Sequence, residues 1–130
     1  MAFKVEWVIS GRILLVDLSD NITIEEFERA VYQAMFEVDR AGEPPFVHVI
    51  FQSLYGRISP TNLQQMKRIT ESYFRNPRLG YTIVISTDEV YRFLSGLTAQ
   101  IYHSRWRAFD SVQEGIAFLQ AIDKTLAQVC

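Results

Sequence analysis

Residues 46–66 read FVHVIFQSLYGRISPTNLQQM. The first six are β-branched or aromatic apart from His48, apolar on both faces, as expected of a central strand covered on both sides. Leu63 and Met66, continued by Ile69, Tyr73 and Phe74, then recur at helical spacing. Between strand and helix, Ser59-Pro60 reads as the helix entrance: serine is a preferred cap, and a first-turn proline has no N–H to leave unsatisfied. A buried strand feeding an amphipathic helix is the building unit of α/β folds, so its repetition decides the architecture.

The unit does repeat. Upstream, Thr23 stands three residues before Glu26, the capping-box spacing, and Ile24, Phe27, Val31, Ala34 and Val38 follow on one helical stripe until Gly42-Glu43-Pro44-Pro45 stops it. Before that helix, FKVEWVI sets Phe3, Val5, Trp7 and Ile9 against Lys4 and Glu6 with period two. A two-residue turn at Ser10-Gly11 leads into RILLVDL, and so short a link requires an antiparallel hairpin. Downstream, Asn76-Pro77 and Gly80 end the second helix. YTIVIS is a strand with Tyr81, Ile83 and Ile85 on one side and Thr82, Val84 and Ser86 on the other. Val90, Phe93, Leu94, Leu97 and Ile101 form the inner stripe of a third helix, and RWRAF is a short strand. Ser111 with Glu114 makes another capping box, before a last helix carrying Ile116, Phe118, Leu119, Ile122 and Leu126.

The order β-β-α-β-α-β-α-β-α over residues 1–130 predicts a single α/β domain with a mixed, mostly parallel five-stranded sheet and right-handed crossovers. Lys4, Glu6, His48, Thr82 and Ser86 put polar groups at alternate positions of three strands. If these share a face, the helices cover mainly the other one, leaving a second face open or half-covered by a partner.

Composition narrows the function. A net charge of −2 with interspersed signs offers no basic stripe for nucleic acid. Apolar runs such as FVHVIF fall far short of the roughly 20 residues of a membrane span, and MAFKVEW alternates where a signal peptide would be continuously apolar. A cytoplasmic protein is expected. The one cysteine, Cys130, permits neither an internal disulfide nor a thiolate metal cage. His48 and His103 show no ligand or triad spacing, no GxSxG elbow or phosphate-binding glycine loop is present, and the acidic residues around Glu25 and Glu26 are what a first helical turn favours. No catalytic residue, metal or cofactor is therefore assigned. Arg105 and Arg107 fall on one side of their strand and Trp106 on the other, a pattern of edge protection. Tyr32 and Phe36 on the first helix, and Tyr91 and Tyr102 on the third, lie off the inner stripes and are candidate interface aromatics.

The hairpin leading into a helix in VISGRILLVDLSDNITIEEFERAV, and the closing WRAFDSVQEGIAFLQ, resemble the SpoIIAA-like bacterial proteins, related to STAS domains and distantly to CRAL-TRIO lipid-binding domains. The resemblance spans nearly the whole chain and implies helices stacked mainly on one side of a mixed sheet. It also implies that Ser59 takes the place of the phosphorylated serine of anti-sigma-factor antagonists, with Arg57 and Thr61 beside it. The flanking residues differ: Ile58 precedes Ser59, and Pro60-Thr61 follow. The expected function is non-catalytic binding, as a homodimer or with a protein partner. A carrier of a small apolar ligand and a phosphorylation-controlled switch are the alternatives.

Overall fold

The computed structural model describes residues 3–18, 21–41, 46–54 and 62–126. Five strands and four helices follow in the expected order: β1 (Phe3–Ile9), β2 (Ile13–Leu18), α1 (Ile24–Arg40), β3 (Val47–Ser53), α2 (Leu63–Phe74), β4 (Leu79–Ser86), α3 (Glu89–Ile101), β5 (Trp106–Phe109) and α4 (Val112–Ile122). In the sheet the strands stand in chain order, β1-β2-β3-β4-β5. The sheet is mixed. The β1–β2 link is too short for a crossover and forces an antiparallel edge hairpin, while β2 to β5 pair in parallel.

The hairpin link is three residues, Ser10 to Arg12, rather than two. Gly11 takes φ +73, a left-handed conformation that glycine adopts freely, and Arg12 N–H closes on the Ile9 carbonyl at 2.9 Å. A bulge between Trp7 and Ile9 also breaks the register. One extra residue reverses the side-chain alternation, so Phe3, Val5 and Trp7 pack on one face and Ile9 joins the other. The expected common face for all four therefore ends at Trp7.

Each parallel crossover advances one strand in the same direction, so crossovers of one hand stack their helices on one face. Residues of α1, α2 and α3 accordingly share a core with Leu14, Val16, Val49, Phe51 and Val84. After β5 the chain returns across the other face. There α4 and the turn after it set Leu119 and Leu126 against Ile13, Ile50, Ile83 and Ile85.

The polar strand positions do not share a face. Lys4, Glu6 and His48 lie on the α4 side, whereas Thr82 and Ser86 are buried on the three-helix side. Burial is tolerated there because both hydroxyls are satisfied: Thr82 Oγ1 bonds the Tyr73 hydroxyl at 2.8 Å, and Ser86 Oγ accepts from Asp88 N–H at 3.0 Å.

Helix entrances follow cap chemistry. Thr23 and Glu26 form the full capping box. Ser111 accepts from Glu114 N–H, but the Glu114 carboxylate accepts from Asp110 N–H at 3.1 Å, so that cap is not the reciprocal box expected. Asn62 caps α2 through Gln65 N–H, in place of Ser59.

The third helix overturns its expected phase. Tyr91, Leu94, Ser95, Thr98 and Ala99 face the sheet, while Val90, Phe93 and Ile101 are 51%, 66% and 40% exposed. Small residues win the inner position because they let α3 lie close to the sheet, and the Trp106 indole fits beneath Gly96, where an added Cβ would stand 3.0 Å from it. The buried hydroxyls cost little: Thr98 donates to the Leu94 carbonyl at 2.7 Å and Ser95 to the Arg92 carbonyl at 3.1 Å.

Candidate functional site

Two regions hold side chains in arrangements that core packing does not require. The first lies at the N-terminal ends of β3, β4 and β5, under the end of α4. His48 is 3% exposed. The Tyr81 backbone N–H donates to its Nδ1 at 2.9 Å, which makes Nε2 the protonated nitrogen, and Nε2–H donates to Asp123 Oδ2 at 2.8 Å. Arg12 donates to the same oxygen at 3.0 Å, while Thr125 donates to Oδ1 through its N–H at 3.1 Å and through its hydroxyl. Gly80 permits this contact, because a side chain there would collide with the imidazole.

The electrostatics follow from that geometry. Burial lowers the His48 pKa below the ordinary histidine value, and this outweighs the Asp123 hydrogen bond and charge, which raise it. For Asp123, partial burial alone would raise the pKa, but the hydrogen bonds from Thr125 and His48 hold it at about 2. The cluster is thus a neutral imidazole and a carboxylate facing a guanidinium. Both ring nitrogens are engaged, so in this geometry His48 has none left to receive a proton from a bound molecule. It acts as an anchor that ties β3 and the hairpin turn to the end of α4. A cleft of about 350 Å³ opens beside it, lined among others by Phe46, Tyr81, Arg105, Ile122 and Lys124.

The second region is the outer face of α3. Helical spacing aligns Val90, Phe93, Leu97 and Ile101 in a stripe about 120° around the helix from Tyr91, Ser95 and Thr98. Between this stripe and β5 lies a groove of about 340 Å³ lined by Arg92, Phe93, Gly96, Leu97, Gln100 and Trp106. The strand beside it is the sheet's edge. The Trp106 indole N–H is buried there without a hydrogen-bond partner among the described residues.

The residues singled out from sequence disperse. Ser59, Arg57 and Thr61 lie outside the described residues. Tyr91 is no surface aromatic: it is 2% exposed, stacks edge-on with Phe27 at 5.8 Å, and burial raises its pKa. Tyr102 is half-buried under the Arg75 guanidinium at 5.2 Å. Tyr32 and Phe36 are exposed on α1, Tyr32 bonded to Glu28 and Phe36 beneath Arg40. Arg105 and Arg107 lie over the rings of Phe46 and Phe118, on the α4 side, with Trp106 on the other side, as period two requires. Among the described residues no group of three or more His, Cys, Asp or Glu could hold a metal ion, and no helix is long and apolar enough to cross a membrane.

Sequence reasoning missed the anchor because Asp123 stands 75 residues from His48 and 111 from Arg12, and no local motif signals it. The outer stripe of α3 was legible as a stripe, but not as an outward one. Comparison with protein-family models, with curated proteins and with solved structures finds no match for this chain.

Proposed function

We propose that this is a non-catalytic binding domain of the cytoplasm that acts through the outer face of α3, pairing there with a second copy of itself. One observation carries the reading: α3 is apolar on both sides. A helix lying on a sheet needs only one apolar stripe, and a second, solvent-facing one marks a surface that is covered in use.

A second copy suits the stripe because it is close to self-complementary. In an antiparallel pair centred on Ser95, Phe93 of one copy falls opposite Leu97 of the other, and Val90 stands one residue, about 1.5 Å along the axis, from the level of Ile101, close to what an isologous two-fold contact requires. Burying the exposed half of four apolar side chains per copy is worth roughly 8 kcal/mol in all. Association costs about 4–15 kcal/mol, so the contact is weak and concentration-dependent. The order of elements, and the stacking of α1, α2 and α3 on one face, also support reading the chain as a SpoIIAA-like domain.

Sedimentation velocity across about 10 µM to 1 mM tests the pairing. The wild type should shift from monomer to dimer, and Phe93→Ser should stay monomeric. A wild type that remains monomeric at the highest concentration removes the second copy as the occupant.

A further inference from the structure

The cleft beside the His48 anchor has a different character from the α3 face. At about 350 Å³ it falls at the lower end of small-molecule sites. Asp123, the carboxylate in its wall, is already engaged by Arg12, His48 and Thr125, so its charge is answered locally. Arg105 and Lys124 also line the cleft, and neither has a carboxylate partner among the described residues. The Arg105 guanidinium is held over the Phe46 ring at 4.8 Å, which fixes its fork at the rim. Phe46 and Ile122 are 44% and 46% exposed, so apolar surface stands beside the two cations.

A rim with two positive charges that no carboxylate among the described residues answers, next to exposed apolar side chains, fits a molecule with an anionic head and a rigid apolar body. The planar fork of Arg105 matches the two oxygens of a carboxylate, and the exposed part of the Phe46 side chain favours an aromatic body over a flexible chain. We infer that this cleft binds a small aromatic carboxylate, its head on Arg105 and Lys124 and its ring against Phe46 and Ile122. This gives the alternative of an apolar-ligand carrier one site and one ligand class. Under the three helices, the void that Phe27, Tyr73 and Tyr91 line is much smaller, about 10 Å³, at most one water.

The test is calorimetric titration of the full chain with 2-naphthoate, its uncharged amide and inorganic phosphate, repeated on R105Q/K124Q. Both substituted residues are exposed, so the variant folds as the wild type does. Using Phe93→Ser as the background separates this result from self-association. Saturable naphthoate binding that weakens with salt, falls by about tenfold or more in R105Q/K124Q and exceeds that of the amide supports the site. Undiminished binding in R105Q/K124Q, equal binding of the amide, phosphate binding as tight as naphthoate, or no saturable binding overturns it.

Discussion

His48 and Asp123 meet at 2.8 Å across the second face of the sheet, and the Tyr81 backbone N–H fixes which histidine nitrogen gives the proton. Removing the carboxylate strands a nearly buried imidazole N–H and the Arg12 guanidinium together. Asp123→Ala should therefore cost about 2 kcal/mol of unfolding free energy, read from the urea midpoint at constant slope. Gly80→Ala should cost about 1–3 kcal/mol by displacing the same imidazole. An effect under about 0.5 kcal/mol for both would mean that the anchor carries no stability.

The same pair sets an acid profile. The folded state lowers the His48 pKa, so as pH falls below about 6.5 the unfolded chain binds more protons than the folded one, and stability declines. With Asp123 held at about 2, its contribution is complete above about pH 4 and is lost between there and its folded pKa. Both signs agree: stability should fall on acidification, in a step near neutrality and a second in strong acid. In Asp123→Asn the second step should shrink, and urea titrations from pH 8 to 2.5 would show it.

The phase of α3 is tested by two neighbouring aromatics. Phe93→Ser touches an exposed ring and should change stability by no more than about 0.5 kcal/mol. Tyr91→Ala empties a buried site beside Phe27 and should cost about 3–5 kcal/mol. The reverse ranking would restore the stripe that periodicity alone favours.

Thr82 and Tyr73 form a closed hydroxyl pair within the core, and burial raises the tyrosine pKa although the Thr82 hydrogen bond lowers it. Thr82→Val or Tyr73→Phe alone leaves one hydroxyl unpaired and should cost about 1–3 kcal/mol. The double variant should cost less than the sum, with a coupling of about 1 kcal/mol in a double-mutant cycle. Strict additivity would show that the two hydroxyls do not interact.

Element order, strand positions and the stripes of α1 and α2 were legible in the sequence because each rests on one strong period. The α3 stripe misled because two stripes coexist. Val90, Phe93, Leu97 and Ile101 are the more hydrophobic, but the small Ser95, Thr98 and Ala99 let α3 lie close to the sheet, and Gly96 leaves room for the Trp106 indole. Hydrophobicity ranks faces, whereas fit chooses between them. Thr82 and Ser86 looked like a wet face because alternation does not reveal a buried partner on another element. Asp123, placed beside His48 only by the return of α4, had no local signal at all.

The unequal covering of the sheet also divides the molecule kinetically. Three helices share one core and support one another, but on the opposite face, among the described residues, one helix, α4, with the turn after it, covers Ile13, Ile50, Ile83 and Ile85. The Asp123 carboxylate ties the far end of α4 to His48 and Arg12. The domain therefore contains a unit that can detach while the rest stays folded, a sub-global opening of lower free energy than complete unfolding. Amides of α4 should lose hydrogen-exchange protection before those of β3. The brief exposure of that isoleucine-rich surface is the route by which this protein would aggregate when its anchor is lost.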